Sequence, residues 1–275
     1  MALRTFEPKK GGLSSRSIRD GAVAPSKLHR LLLEGAHAME ACNYQPPATD
    51  VDGFSNPTGI AADINLMHLR SSTWSYFIMG AQVIVAPTND ATAGGILIGL
   101  DAAAADGVEY LPGQMATVKN PFAVTIGTSP NAAVRATLRA GTLANVAELA
   151  LGWRKAEAFN ALIDNYDEMA CLNIQTPGDI KRETILNNGA TVTVDTLLNA
   201  SNGVDVVLEV RLIGRRALMF VNGAAAPIGA AFNFDVGEIV VPFLHFLQVT
   251  GGSTLHMFDY EVGPLYGIGL DPARH

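Results

Sequence analysis

Charge is scarce in this sequence. Asp, Glu, Lys and Arg make up 16% of its 275 residues, where soluble proteins carry roughly a quarter. A chain of this size with so little charge is expected to hide part of its surface against other chains. Cysteine is nearly absent: Cys42 and Cys171 stand far apart, which excludes a disulfide framework and reads as two small buried apolar residues. No uninterrupted apolar run approaches the ~20 residues that span a bilayer. Nor does a secretory-type apolar stretch follow Met1-Ala2-Leu3-Arg4. The expectation is synthesis in a reducing cytoplasm, with no membrane contact.

Signatures of chemistry are missing as well. The histidines His29, His37, His68, His245, His256 and His275 form no H-x-H or H-E-x-x-H pair, and no C-x-x-C occurs, so no metal and no cofactor is expected. G-x-S-x-G and G-x-x-x-x-G-K-[ST] are absent, and Gly-Gly at 11, 94 and 251 lacks the strand-then-helix surroundings of a phosphate cradle. Asp164, Asp167 and Glu168, with Asp179 and Glu183 beyond, begin like a calcium loop but lack its central glycine and terminal glutamate. They read as an exposed, solvated turn. Asp259 and Glu261 share a strand face but stand alone, and no strand offers the paired carboxylates of a glycosidase. His245 and His256 fall on adjacent expected strands, where they could face one another without an evident carboxylate partner, and read as structural. The expectation is therefore a protein that is not an enzyme and has no catalytic residue. A hydrolase on a sandwich scaffold would need two carboxylates facing across a cleft.

What the sequence does have is strand pattern and an uneven charge distribution. Residues 1–30 carry seven basic side chains (Arg4, Lys9, Lys10, Arg16, Arg19, Lys27, Arg30) against Glu7 and Asp20, a balance of +5 that leaves −12 on the rest. A basic leader with several Gly and Ser on an acidic body reads as an arm that docks. With only Phe6 as an aromatic it has no stacking series for nucleic acid, so an acidic protein surface is the expected partner. One short helix follows over about residues 25–41, capped by Ser26, with Leu28, Leu31, Leu32, Ala36 and Met39 on one face. Residues 43–59, with three prolines and two glycines, read as a linker.

Beyond it, apolar alternation recurs every 10–20 residues between Gly, Pro, Asn or Asp, the spacing of an antiparallel sandwich or jelly roll. Leu208, Val210 and Leu212 point one way and Glu209 and Arg211 the other; after Gly214 the alternation resumes through Ala217, Met219 and Val221 to Asn222-Gly223. This is a hairpin closed by a second turn, and Asn222 suits the turn better than a ligand. The segment "WRKAEAFNALIDNYDEM" reads as strand then turn. For carbohydrate, an aromatic platform would have to come from Trp74, Trp153, Tyr166 or Tyr266, with Asn222 as an amide. Both tryptophans sit among apolar strand residues, where burial is the default.

Several stretches carry a resemblance. "VLEVRLIGRRALMFVNGAAAP" and "FNFDVGEIVVPFLHFLQVTGGSTLHMFDYEVG" resemble the last strands of concanavalin-like, laminin-G-like jelly rolls. "ELALGWRKAEAFNALIDNYDEMACLNI" is similar to the middle of such domains in tailed-bacteriophage virion proteins, and "IRDGAVAPSKL" to an element near the N-termini of phage fibre and head-associated proteins. The expected architecture is all-β: an antiparallel jelly-roll sandwich over 51–275, preceded over 1–50 by an extended arm with one short helix. The resemblance implies a structural virion protein made in a bacterial cytoplasm. It would be a capsid decoration (cement) protein on the outer capsid surface, often trimeric, held to the major capsid protein by Arg16, Arg19, Lys27, Leu28, Leu31 and Leu32. The alternative on the same fold is a fibre or receptor-binding carbohydrate-binding module.

Overall fold

The computed structural model describes residues 122–226, 231–249 and 251–265, and before them 40–41, 51–55, 65–69, 72–79, 85–90, 92–93, 95–99, 106–112 and 120. In chain order the first strands are β1 (Glu40–Ala41), β2 (Val51–Ser55), β3 (Asn65–Leu69), β4 (Ser72–Met79), β5 (Val85–Asn89), β6 (Ile96–Gly99) and β7 (Gly107–Pro112). Next come β8 (Val124–Thr125), β9 (Ala132–Ala140), β10 (Val146–Lys155), β11 (Met169–Gln175), β12 (Asp179–Ile185) and β13 (Val192–Asn199). The last are β14 (Val206–Ile213), β15 (Arg216–Val221), β16 (Ala224–Ala225), β17 (Phe232–Asn233), β18 (Ile239–Gln248) and β19 (Leu255–Pro264). All their pairings are antiparallel, in two sheets. The smaller runs β16-β15-β14-β9-β19-β6-β5, with β1 on β19 and β17 on β15; the larger runs β13-β12-β11-β10-β18-β7-β4-β3-β2, with β8 on β18. This is the all-β jelly-roll sandwich expected from the alternation.

Period-two patterning explains the smaller sheet. In β9, Ala132, Val134, Ala136, Leu138 and Ala140 are buried while Arg135 and Arg139 alternate between them toward the outside. Their neighbours match: Leu208, Val210 and Leu212 of β14 lie opposite Val221, Met219 and Ala217 of β15, all buried. Gly214 opens the two-residue loop at φ 60°, and Asn222-Gly223 form the next turn at φ 51° and 81°, which only residues tolerant of the left-handed region adopt cheaply. Asn222 also bonds Val207 in both directions, its backbone N–H to Val207 O and its Oδ1 to Val207 N–H, each at 2.8 Å. The residue is structural, as its type suggested.

The central strands of the larger sheet do not alternate in burial, because both faces are covered. Inward, Trp74, Tyr110, Leu151, Trp153 and Phe246 pack on the smaller sheet. The Trp153 indole N–H donates to Val210 O across the sandwich at 3.1 Å, and Trp74 meets Tyr260 edge-on at 4.6 Å. Outward, Phe77, Leu111, Met169, Cys171, Val241 and Phe243 form a second core with Ile163 and Tyr166 from the segment after β10. That segment is a loop with one short 3-10 turn at Ile163–Asn165, in line with the strand-then-turn reading.

Gly152, between Cys171 and Phe243 in the ladder, marks how tightly this outer layer is closed. A Cβ there would lie 2.6 Å from Cys171 Cβ and closer still to Ala170 O. Gly152→Ala is therefore expected to cost about 1–3 kcal/mol through overpacking, readable as a lower urea midpoint at unchanged m-value.

Two expectations shift at the N-terminal end. Val51–Ser55, read as linker, is a strand paired with Asn65–Leu69. Glu40–Ala41, the last residues of the expected helix, pair instead with Val262 and Glu261 of β19. The rest of that helix, residues 25–39, lies outside the described residues, as does the arm.

Candidate functional site

The outer face of the larger sheet divides into an apolar half, covered by the segment 156–168, and a polar half. Strand register builds the polar half. Glu109 of β7 lies opposite His245 of β18, His245 opposite Ala150 of β10, and Ala150 opposite Asn173 of β11. The row continues through Lys181 of β12 to Asp195 of β13. Beside it, Glu148 faces Gln175, and Gln175 faces Asp179. On the other side Cys171 faces Glu183, which faces Thr193. The ladder shifts register between Val146 and Glu148, the kind of bulge that re-aims a side chain. Leu149 N–H then donates to Asn173 Oδ1 at 3.1 Å, which turns the Asn173 amide nitrogen toward Glu183 Oε2 at 2.8 Å. Gln175 Nε2 donates to the other Glu183 oxygen at 2.7 Å, and the Thr193 hydroxyl reaches the same atom at 3.5 Å.

Electrostatics organise the centre. Arg154 and Glu109 are both wholly buried, with Nη2 and Nε of the guanidinium at 2.8 and 3.1 Å from Glu109 Oε1. The Tyr166 hydroxyl donates to Glu109 Oε2 at 2.8 Å, and its ring lies 4.3 Å under the Arg154 guanidinium. His245, also wholly buried, sits with Nε2 3.1 Å from Glu148 Oε2 and Nδ1 3.7 Å from Glu109 Oε2. Burial opposes the charged forms of Glu109 and His245, but the partners win: Arg154 and His245 hold Glu109 below the usual carboxylate range, and the two carboxylates hold His245 above the usual histidine range. Burial pushes the Glu183 carboxyl up. Glu148 remains partly open to solvent, its side chain 18% exposed. The arrangement can accept and donate hydrogen bonds to hydroxyl groups.

These groupings correct the sequence reading. His245 and His256 lie in different sheets and do not face one another. Each has carboxylate company, His256 through Asp90 Oδ2 at 3.0 Å. Trp74 and Trp153 are buried, as their apolar strand neighbours imply, Tyr166 is buried too, and Tyr266 lies outside the described residues. Arg16, Arg19, Lys27, Leu28, Leu31 and Leu32 also lie outside them. The acidic "DNYDE" run is dispersed: Asp164 accepts from the Thr191 hydroxyl at 2.6 Å, and Asp167 pairs with Lys155 at 2.5 Å. Among the described residues no three metal-ligating side chains converge.

Glu168 is buried, not solvated, and burial pushes its carboxyl up to about 7. Unfolded, it would ionise near pH 4.3 (about the free glutamate value). The unfolded state thus gives up this proton first, so the group's contribution to stability falls as pH rises from about 4 toward 7 and is flat above. Glu168→Gln is expected to raise Tm at about pH 8 and leave it nearly unchanged at about pH 4, as differential scanning fluorimetry at both pH values would show.

No family model and no curated protein matches the sequence. Solved structures do match in fold. The carbohydrate recognition domain of Emp47p is similar at 11% identity and a TM-score of 0.46, over 70% of this chain and 88% of that one. The family 7 alginate lyase A1-II′, in complex with substrate, is similar at 14% identity and a TM-score of 0.46, over 69% and 91%. The carbohydrate-binding module CBM66 from Bacillus subtilis is similar at 8% identity and a TM-score of 0.37, over 66% and 94%. At such identities the likeness concerns the fold. The expectation of a non-enzyme is withdrawn, since solved structures similar in fold include family 7 alginate lyases.

Proposed function

We propose that this chain is a carbohydrate-recognising β-sandwich whose binding face is the polar half of the outer face of the larger sheet. The observation that carries the reading is the convergence there, on five adjacent strands, of Glu148, Gln175 and Thr193, which reach solvent, over the buried Asn173, Glu183 and His245 that position them. Sugar hydroxyls donate and accept at once, so a surface that recognises them needs both functions, at fixed spacing and on rigid supports. Carboxylates and amides held by one another supply this, and ladder register fixes their spacing more firmly than a loop would. This route to carbohydrate needs no aromatic platform: it is polar and strand-borne.

The test is direct. The purified chain is titrated calorimetrically with a panel of neutral, amino and acidic oligosaccharides, and each mixture is followed for new reducing or unsaturated ends. Saturable binding to at least one class supports the reading, and product formation adds turnover to it. Absence of binding across the panel contradicts it.

The location of such a module is a separate proposal, supported by the charge split between the basic first thirty residues and the acidic remainder. We propose that the arm docks the chain on the outside of a phage capsid, through Arg16, Arg19 and Lys27 with the Leu28, Leu31 and Leu32 face. Deleting residues 1–24 is expected to abolish capsid binding in co-sedimentation while leaving the far-ultraviolet circular dichroism of a β protein. Full occupancy by the truncated chain would contradict the docking role.

A further inference from the structure

We infer that the glycan taken by this face carries amines rather than carboxylates. The inference rests on the carbohydrate-binding reading above and concerns the charge class of its ligand. Every basic side chain of the described outer face is already held by acids. Arg154 is committed to Glu109 at 2.8 Å, and His245 lies between Glu109 and Glu148. Lys181 Nζ is held by Asp179 at 3.3 Å and Asp195 at 3.0 Å. Three cations therefore stand against Glu109, Glu148, Glu183, Asp179 and Asp195, with exposed Asp164 at the same margin. An incoming carboxylate would find no uncommitted cation among them and several like charges. An ammonium group would find Glu148 partly exposed, and Asp179 and Asp195 about half exposed beside the Lys181 they share.

A second, independent feature points the same way. Glu148 Oε2 and both ring nitrogens of His245 are buried without an aligned hydrogen bond, even though Nε2 and Oε2 are only 3.1 Å apart. The pair is thus in charge contact, and the part of the Glu148 side chain that reaches solvent is not the buried Oε2. A donor arriving from solvent would meet Glu148 at its other carboxylate oxygen. The acids also crowd one another: Glu148 and Asp164 both add to the raised pKa of Glu183, after burial, its largest cause. A cation placed among them relieves that repulsion, whereas an anion adds to it.

The experiment uses the full chain and three oligomers of equal length, of glucosamine, of N-acetylglucosamine and of a hexuronic acid, titrated at low ionic strength. Glucosamine oligomers are expected to bind at least tenfold more tightly than the N-acetylated ones, with hexuronate weakest and the preference shrinking as salt is added. Glu148→Gln with Asp195→Asn, which keeps side-chain shape, is expected to bring the glucosamine affinity down to that of the N-acetylated oligomer. Equal affinity for the three, or tightest binding of hexuronate, overturns the charge inference and leaves the carbohydrate reading standing. Binding of none of them removes this inference, and removes that reading too when the wider panel above also shows none.

Discussion

Arg154→Met is expected to lower the folding stability by about 3–5 kcal/mol and Tm on the order of 10 °C, measured by urea and thermal unfolding at neutral pH. Arg154 is wholly buried and neutralises an equally buried Glu109. Its Nη1 also satisfies the carbonyls of Lys155 and Glu157 at 3.0 and 3.3 Å. Removing the guanidinium leaves the Glu109 carboxylate with the Tyr166 hydroxyl and the more distant His245 Nδ1. The loss in such a variant is mostly the cost of an unpaired buried charge, not the worth of the pair itself. The double variant Glu109→Gln, Arg154→Met should therefore recover a large share of it, and a double-mutant cycle measures how much. A loss in the single variant below about 1 kcal/mol, the scale of exposed ion pairs, would show that water reaches the cluster and that it does not fix this face of the sheet.

Glycan affinity is expected to fall at least tenfold, about 1.4 kcal/mol, in the double variant Glu148→Gln, Gln175→Ala, with little change in Tm. These two side chains are opposite one another in the ladder and only partly buried. Gln175 supplies the shorter of two donors to Glu183 Oε1, so its loss leaves that oxygen with only the Thr193 hydroxyl at 3.5 Å as well as deleting an amide. Calorimetry paired with a thermal melt separates a binding defect from unfolding. Unchanged affinity in a folded double variant would move the site off this row.

The sandwich was legible because period-two patterning is local. The β14–β15 hairpin can be read residue by residue from Leu208 to Val221, and β9 alternates without a break. The polar cluster was not legible, because it exists only through register. Arg154 and Glu109 are 45 positions apart and Tyr166 and Glu109 57 apart, and no short motif spans such distances. One signal was available. Glu109 and His245 each interrupt a largely apolar strand, in "GVEYLP" and "IVVPFLHFLQ", and Arg154 follows the apolar run "LALGW" of β10. A central strand covered on both faces can hold a charge only if that charge is paired, so three such residues ask to be placed together. The carboxylate partners of His245, Glu109 and Glu148, are its neighbours across the sheet and not along the sequence. Tryptophan burial, by contrast, followed directly from the company of Trp74 and Trp153 in their strands.

The most direct measurement of the central claim is a nuclear magnetic resonance titration of the full chain with a glycan that binds it. The side-chain amides of Asn173 and Gln175 and the His245 ring serve as reporters, since all three lie in the polar half of the outer face. The account predicts that these signals shift together with the backbone amides of Glu148, Glu183 and Thr193, while the Asn222-Gly223 turn stays still. Saturable binding that leaves the row unmoved and perturbs the smaller sheet or the turns instead would contradict it.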